Sequence, residues 1–497
     1  MRFPLTMLPA LPVVAALLVP LLAVLTPRAS AAPAPGATAA PGATAAPGAT
    51  TKPGATPPTA AAPPAPAAPA RASAGGQAFP FPVREKTLPN GLKVYVVGFD
   101  SPGLVAYYSV VRTGSRNEVE PGKSGFAHFF EHLMFRGSQN FSTEKYNAVI
   151  KEMGADSNAF TSDDLTVYHI LAGKAALPKI VEIESDRFQH LQYDDAKFQK
   201  EARAVLGEYN KNASNPIEKM VEVLYDNAFT THTYKHTTMG FLKDIENMPR
   251  ELAYSRQFFD RYYRPENVII LVVGDADPDK VFKLVEEHYG TWQRGGKHPA
   301  VPVEPPQKKE KRAALGWKSA TLPMLLEGYH TPAFSTMSVD GPTMDVLAEL
   351  LFAERAPLYK KLVVTEQKVE SLQGSNDPHV DPNLFTVLAR LKKPADLAYV
   401  EKAIHDEMGR IAREGVDEKT LADVLSHVKY AFAGQLSTAD KTAYTASSFL
   451  ALTGDLGSID AYFALFDKVT SADVKRVAAA IFAPANRTVV TLKADKQ

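Results

Sequence analysis

The 497-residue sequence contains no cysteine. That absence excludes disulfide staples, thiol nucleophiles, cysteine-ligated zinc and a lipid-modified cysteine anchor. Any metal must be held by histidine, aspartate or glutamate. Charge bias is missing too, because Lys+Arg and Asp+Glu both number 55. No global field favours nucleic acid or an acidic membrane surface. The basic residues form no stripe and no glycine-rich loop of the phosphate-cradling type occurs, which argues against nucleotide and nucleic-acid roles. An unbroken apolar run is also lacking. Leu5 to Leu25 is mostly apolar, but Pro9, Pro12 and Pro20 interrupt it and disfavour a stable spanning helix.

What is present suits two to three domains with real cores, since hydrophobic residues make up 45% and aromatics 9%. Arg2, the apolar run and Ala29-Ser30-Ala31 read as an export signal over residues 1–31, with an uncleaved membrane anchor as the alternative. Arg2 and Arg28 are too few basic residues for a mitochondrial presequence. The expected location is exported, periplasmic or in the cell envelope. Over residues 32–78 the unit Pro-Gly-Ala-Thr recurs at Pro35, Pro41, Pro47 and Pro53. Such a stretch has almost nothing to bury and should be an extended, disordered spacer. Glycine does not recur at every third position, so collagen is excluded.

Folded sequence begins near Phe79. "EKTLPNGLKVYVVGF" predicts a strand pair around Asn90-Gly91, and "LVAYYSVVRTGS" another strand. A helix opened by Ser124 as N-cap follows. "NAFTSDDLTVYHILA" predicts two more strands, and "YDDAKFQKEARAVLGEYNKN" a helix. "NVIILVVGDADPDKVFKLVEEHYG" predicts a buried strand and a helix starting near Pro278. The proline-rich, then charged stretch over 298–314 has the composition of a linker. Beyond it, the strand "PMLLEGYHTPAF", the helix "MDVLAELLFAERAPLYKKLV" and the strand "NRTVVTLKA" repeat the order of the first half. The expected class is α+β, with two related α/β domains of about 200 residues each over 79–297 and 315–497.

One stretch carries chemistry: His128-Phe129-Phe130-Glu131-His132. On a helix, residues four apart share a face, so both imidazoles can converge on one ion. Glu131 lies on the neighbouring edge, where it could reach a water without ligating the ion. The competing explanation is a core stripe of Phe126, Phe129, Phe130, Leu133 and Phe135 that happens to carry histidines. Downstream, "FQKEARAVLGEYN" places Glu201 and Glu208 on one helical face, two turns apart. Taken alone, that pair is an ordinary solvated acidic face. Beside two histidines, in a chain without cysteine, it supplies the third ligand that a catalytic zinc site requires.

At this point the chain resembles the inverted-motif zinc metallopeptidases: the pitrilysin, insulinase and mitochondrial processing peptidase family, in the exported, single-subunit-length bacterial type. The likeness runs from about Phe79 to the C-terminus and rests on "LPNGLKV", "GFAHFFEHLMFRGS", "NAFTSDDLTVY", "EARAVLGE" and "YYRPENVIILVVGDADPDKV". It implies one zinc per chain held by His128, His132 and Glu208, with Glu131 as the catalytic base. It implies that Glu201 supports the ligands, and that Asn158 and Ala159 lie on a strand that pairs with substrate backbone. It also implies that the two domains form half of a clamshell, and that the substrate is a short or unfolded peptide. His232 and His236 are read as structural. His169, His190, His330, His379, His405 and His427 carry no assignment.

The family usually carries an arginine and a tyrosine in its C-terminal half that contact the substrate carbonyl. The matching stretch, "PLYKKLVVTEQKVESLQGS", has Val363 and Glu370 there, and the turn before it reads "AERAPLY". Neither residue can donate to an oxyanion. The expectation is a zinc-bearing catalytic subunit of a heterodimer, whose homologous partner supplies the Arg/Tyr pair. The alternative is a noncatalytic scaffold or peptide-binding subunit of the same fold.

Overall fold

The computed structural model describes residues 77–494. The expected export signal over 1–31, and all of the expected spacer except its last two residues, lie outside the described residues.

Six strands form the first sheet: β1 (Val83–Thr87), β2 (Lys93–Gly98), β3 (Leu104–Val111), β4 (Asp156–Thr161), β5 (Thr166–Gly173) and β6 (Val268–Gly274). Their spatial order is β1-β2-β6-β3-β5-β4. β1 and β2 are an antiparallel hairpin whose turn uses Gly91 at φ 93°. β2 and β6 are parallel, and the remaining neighbours run antiparallel. Alternation along β2 sends Val94 and Val96 into one core, and Tyr95 and Val97 into another. Both faces of the sheet are therefore covered, which is why β6 reads as a continuous apolar run and is buried throughout.

The second sheet holds β7 (Lys311–Trp317), β8 (Met324–His330), β9 (Val369–Asn376), β10 (Leu384–Leu391) and β11 (Arg487–Ala494), in the order β7-β11-β8-β10-β9. Leaving β1 aside, both sheets set their first strand parallel to their last, then the second, the fourth and the third. The chain is thus two α/β halves with mixed sheets of the same topology. β7 starts at Lys311, inside the stretch whose composition suggested a linker.

The halves exchange a helix. Pro216–Ala228, from the first half, packs on β7, β8 and β11 of the second sheet. Ala439–Thr453, from the second half, packs on β3 and β6 of the first. Gly328 on β8 makes room for the first of these: a Cβ there would lie 3.2 Å from Leu224 and 2.9 Å from Leu384. Lys93 and Arg112 donate to the carbonyls of Gly454 and Ala451, so two cations of the first half meet the C-terminal end of the second helix. One apolar cluster accordingly contains Tyr108 and Leu271 together with Phe449 and Leu450. Ala439–Thr453 and Gly457–Phe466 are apolar enough to suggest a bent membrane span, but their apolar residues are buried in this packing. No single helix among the described residues is long and apolar enough to cross a membrane.

Two local expectations are corrected. Ser124 does not cap the motif helix Phe126–Leu133; its hydroxyl is turned to Asp244, at 2.6 Å. Gly125 is the cap residue at φ 92°, and the carboxylate of Glu118 accepts from the N–H groups of Gly125 and Ala127, at 2.7 Å each. The stretch read as one long helix over "MDVLAELLFAERAPLYKKLV" stops at Phe352 and restarts at Pro357. Proline forces Ala356 to be extended, at ψ 143°, so the first helix cannot run through it.

Candidate metal centre

Aromatic packing aims the motif helix. Phe126, Phe129, Phe130 and Leu133 are at most 1% exposed. Phe130 stacks on Phe258 with ring centroids 5.5 Å apart, and Phe129 meets Phe198 edge-on at 5.1 Å. Phe198 belongs to the helix Asp195–Asn212, so this contact draws the second acidic helix against the first. Core stripe and imidazole face coexist on one helix: the phenyl rings fix its rotation, and His128 and His132 take the remaining side.

The structure brings His128, His132 and Glu208 together, with one donor atom from each lying within 4.8 Å of the other two. Glu208 Oε2 is 3.3 Å from His132 Nε2 and 3.8 Å from His128 Nε2. The two rings are 4.7 Å apart at 72°, so they converge without stacking. His132 Nδ1 is 3.1 Å from Glu201 Oε1, and Arg136 forks onto both oxygens of Glu201. A proton donated from Nδ1 to Glu201 leaves the Nε2 lone pair aimed at Glu208 Oε2, which is itself an acceptor. Two acceptors at that distance need a positive charge between them. A proton on His132 Nε2 supplies that charge when no metal is bound. Burial opposes a charge on His132, but hydrogen bonding to Glu201 and Glu208 pushes its pKa up to about 10. The hydrogen bond to His132 holds Glu208 down at about 2, against its burial. His128 is lowered by burial, which keeps its lone pair available. Two imidazole nitrogens and one carboxylate oxygen are a donor set that zinc accepts while keeping a fourth position open.

A second cluster tests the point. Glu327, Glu401 and His405 also gather donor atoms within 4.8 Å. There, Arg312 forks onto Glu401, while Tyr329 and His405 bind Glu327 at 2.7 and 2.8 Å. Both carboxylates are already engaged by protein donors, so this cluster fits a metal less well.

Glu131 accepts from Thr161 Oγ1 at 2.7 Å. Thr161 ends β4, the outer strand of its sheet. Asn158 and Ala159 lie on the same strand, where Asn158 Oδ1 takes the Ala159 N–H at 2.9 Å. In the second half, Glu370 pairs with Arg390 at 3.0 Å, and Val363 packs against the core. His232 binds Asp381 at 2.9 Å, and His236 Nδ1 lies 3.0 Å from its neighbour's carbonyl.

Sequence reasoning missed three residues at this centre. Arg136 stands four places after His132, a spacing that could have flagged it. Thr161 lies inside "NAFTS", a stretch singled out for its backbone alone. Glu118 has no local signal, because it reaches the motif helix across a loop.

The signature described as "Insulinase (Peptidase family M16)" matches residues 105–241, and that described as "Peptidase M16 inactive domain" matches residues 252–428. The zinc protease PqqE of Helicobacter pylori is 28% identical over 414 residues, covering 82% of this chain and 92% of that protein. A crystal structure of a protease from Helicobacter pylori aligns at TM-score 0.77 and 28% identity, covering 83% of this chain and all of the other. The periplasmic protease PqqL of Escherichia coli shares the fold at TM-score 0.69 and 18% identity; the match covers 83% of this chain and 47% of PqqL.

Proposed function

The chain belongs to the insulinase (M16) peptidase family, and from that premise we propose that it is a zinc-dependent endopeptidase or oligopeptidase acting on short or unfolded peptides. The observation that carries this reading is the convergence of His128, His132 and Glu208, with Glu201 on the far nitrogen of His132. These three residues would hold one zinc per chain. Zinc, when bound, supplies Lewis acidity and a water that ionises near neutral pH. Glu131 would take a proton from the attacking water and return it to the leaving amine. Thr161 keeps the Glu131 carboxylate turned toward the centre. Glu201 fixes the tautomer and tilt of His132. β4 offers its outer edge to an extended peptide, which displaces the Asn158 side chain from the Ala159 N–H and takes its place. Main-chain pairing of this kind accepts extended chains and sets loose sequence preference.

The domains we assign are 79–297 for the zinc-bearing half and 315–497 for the second half, with 298–314 between them. Val363 packs inward and Glu370 is held by Arg390, so this half offers no donor at the positions where the family keeps its arginine and tyrosine. We therefore assign this chain as the catalytic subunit of a heterodimer, with a homologous partner that supplies that pair and closes the other half of a clamshell. PqqL, about twice the matched length, is consistent with such a two-half arrangement within one chain. PqqL is a periplasmic protease. We propose an exported, cell-envelope location for this chain as well, with 1–31 acting as signal or anchor.

The same packing of Val363 and Glu370 favours the second reading, a noncatalytic peptide-binding subunit. Metal analysis together with a peptide-cleavage assay, run with and without a co-purifying partner, separates the two. Stoichiometric zinc with cleavage supports the enzyme. Zinc without cleavage under either condition supports the binding subunit, and no zinc uptake rejects both the centre and its chemistry.

A further inference from the structure

The strand edge proposed to receive substrate is held in place from the other half of the molecule. β4 ends at Thr161 and turns through 162–165 into β5. In the second half the topologically equivalent connection is the loop over 377–383 between β9 and β10. These two connections meet. His379 Nε2 lies 3.0 Å from Asp163 Oδ2, and the Val380 N–H donates to Asp164 at 3.0 Å. Tyr234 donates to Asp164 at 2.7 Å, and Ser115 to Asp163 at 2.9 Å. Arg116 joins the first half to Asp381 at 2.6 Å. Above the strand, Phe160 packs on Tyr444 of the exchanged helix, with ring centroids 5.0 Å apart.

The state of His379 follows from its partners. Its Nδ1 lies 2.7 Å from the Asp377 carbonyl, which can only accept, and its Nε2 faces a carboxylate. Both nitrogens donate, so the ring is an imidazolium. It is 13% exposed and Asp163 is 17% exposed, which shields the pair from competing water. A charge-assisted bond of this kind tethers the end of β4 to the second half, two residues beyond Thr161, which donates to Glu131.

We propose that His379 is a positioning residue for the substrate strand: through Asp163 it fixes the end of β4, and with it both the edge offered to an extended peptide and the contact of Thr161 with Glu131. The inference rests on the reading of β4 as the substrate edge. It gives the second half a task in the reaction of the first, without contributing a group to the centre. The action on Glu131 passes through the strand, by way of Thr161.

The test uses the full chain and four variants: H379Q, D163N, the double variant, and K93M, which removes a contact between the halves remote from β4. Amide exchange over 156–164 should quicken in H379Q by roughly tenfold, with 126–133 and the zinc content as in the parent. The KM for an extended peptide should rise roughly tenfold with a smaller change in kcat, since misplacement of binding groups by an ångström is costly. D163N should give the same shift, and the double variant no more than either single change. K93M should shift neither quantity. Should H379Q not fold, D163N, which keeps the imidazole, reads the same pair. Unchanged exchange over 156–164 in a folded variant overturns the tether. Faster exchange with the parent's KM, or a KM rise shared by K93M, overturns the positioning role. If the parent chain takes up no zinc or cleaves no peptide, the functional reading fails, while the exchange data still decide the tether.

Discussion

Glu201 lies 3.1 Å from Nδ1 of His132, on the side of the ring opposite Glu208, which lies 3.3 Å from Nε2. One helix thus grips both nitrogens of a single imidazole with two carboxylates, two turns apart. Arg136 neutralises the inner carboxylate and leaves the outer one free for a cation. Glu201→Gln should therefore weaken zinc binding by roughly 10–100-fold, as loss of a carboxylate behind a ligating histidine does, while the fold survives. Competition against a chelator of known affinity measures it. Unchanged affinity would show that His132 needs no such support.

Glu131→Gln should keep stoichiometric zinc and peptide binding and lose turnover by roughly 10²–10⁴-fold, the usual span for a positioned acid–base group. Thr161→Val should fall between parent and Glu131→Gln, since it removes only the hydroxyl that orients the carboxylate. Steady-state cleavage with parallel metal analysis decides both. Turnover retained by Glu131→Gln would rule that residue out as the base.

Glu118 is buried and closes the N-terminus of the motif helix through two backbone N–H groups. Its removal leaves those donors unsatisfied beneath the surface. Glu118→Ala should cost about 1–3 kcal/mol in denaturant unfolding, more than an exposed cap would. Zinc affinity should fall with it, because Ala127 directly precedes His128. A stability loss with undiminished zinc affinity would confine Glu118 to the fold.

The tether between the halves makes stability depend on pH. Burial lowers the His379 pKa, but the hydrogen bond to Asp163 and the charges of Asp164 and Asp377 raise it to about 9. A group whose folded pKa is raised contributes fully below its unfolded value, about 6.5, and that contribution fades as pH climbs through 9. Asp163 is shifted the other way: burial raises it, but His379 brings it down. Its contribution is lost only in acid. Of the other groups around the ring, burial raises Asp164 and pushes Tyr234 well above the usual tyrosine range. Arg116 is raised, and Asp381 is held at about 2 by His232, against burial, with Arg116 adding to it. The melting temperature of the whole chain should fall between about pH 6.5 and 9.5, and the slope should be smaller in His379→Gln. Equal slopes in both proteins would contradict the charged pair.

The strands of the first half, the motif helix and the acidic helix are local facts, and the sequence carries them. The Asn90-Gly91 turn marks β2, the four-residue spacing marks His128 and His132, and the helix at Pro278 starts where expected. Two kinds of feature escape such reading. A cap drawn from a distant loop, such as Glu118, leaves no trace beside the helix it serves, and Ser124 imitates one. His379 looks unpaired because Asp163 lies in the other half of the chain. The apolar character of Ala439–Thr453 is visible, but nothing in its spacing says which sheet it covers.

That exchanged helix sets the last expectation. The face of the first sheet that carries Tyr108 and Leu271 is covered by Phe449 and Leu450 of the second half. Each such side chain contributes about 1.5–3 kcal/mol on burial, and a domain's net stability is only about 5–15 kcal/mol. A fragment over 77–297 keeps His128, His132, Glu201 and Glu208 but uncovers that face, while its own helix Pro216–Ala228 loses the sheet it packs on. Expressed alone it should be aggregated, or expanded with dye-binding apolar surface. Supplying residues 298–494 as a second chain should restore a compact, zinc-binding complex. A soluble, cooperatively melting 77–297 fragment would mean that the halves are independent domains and that the exchange of helices is incidental to the fold.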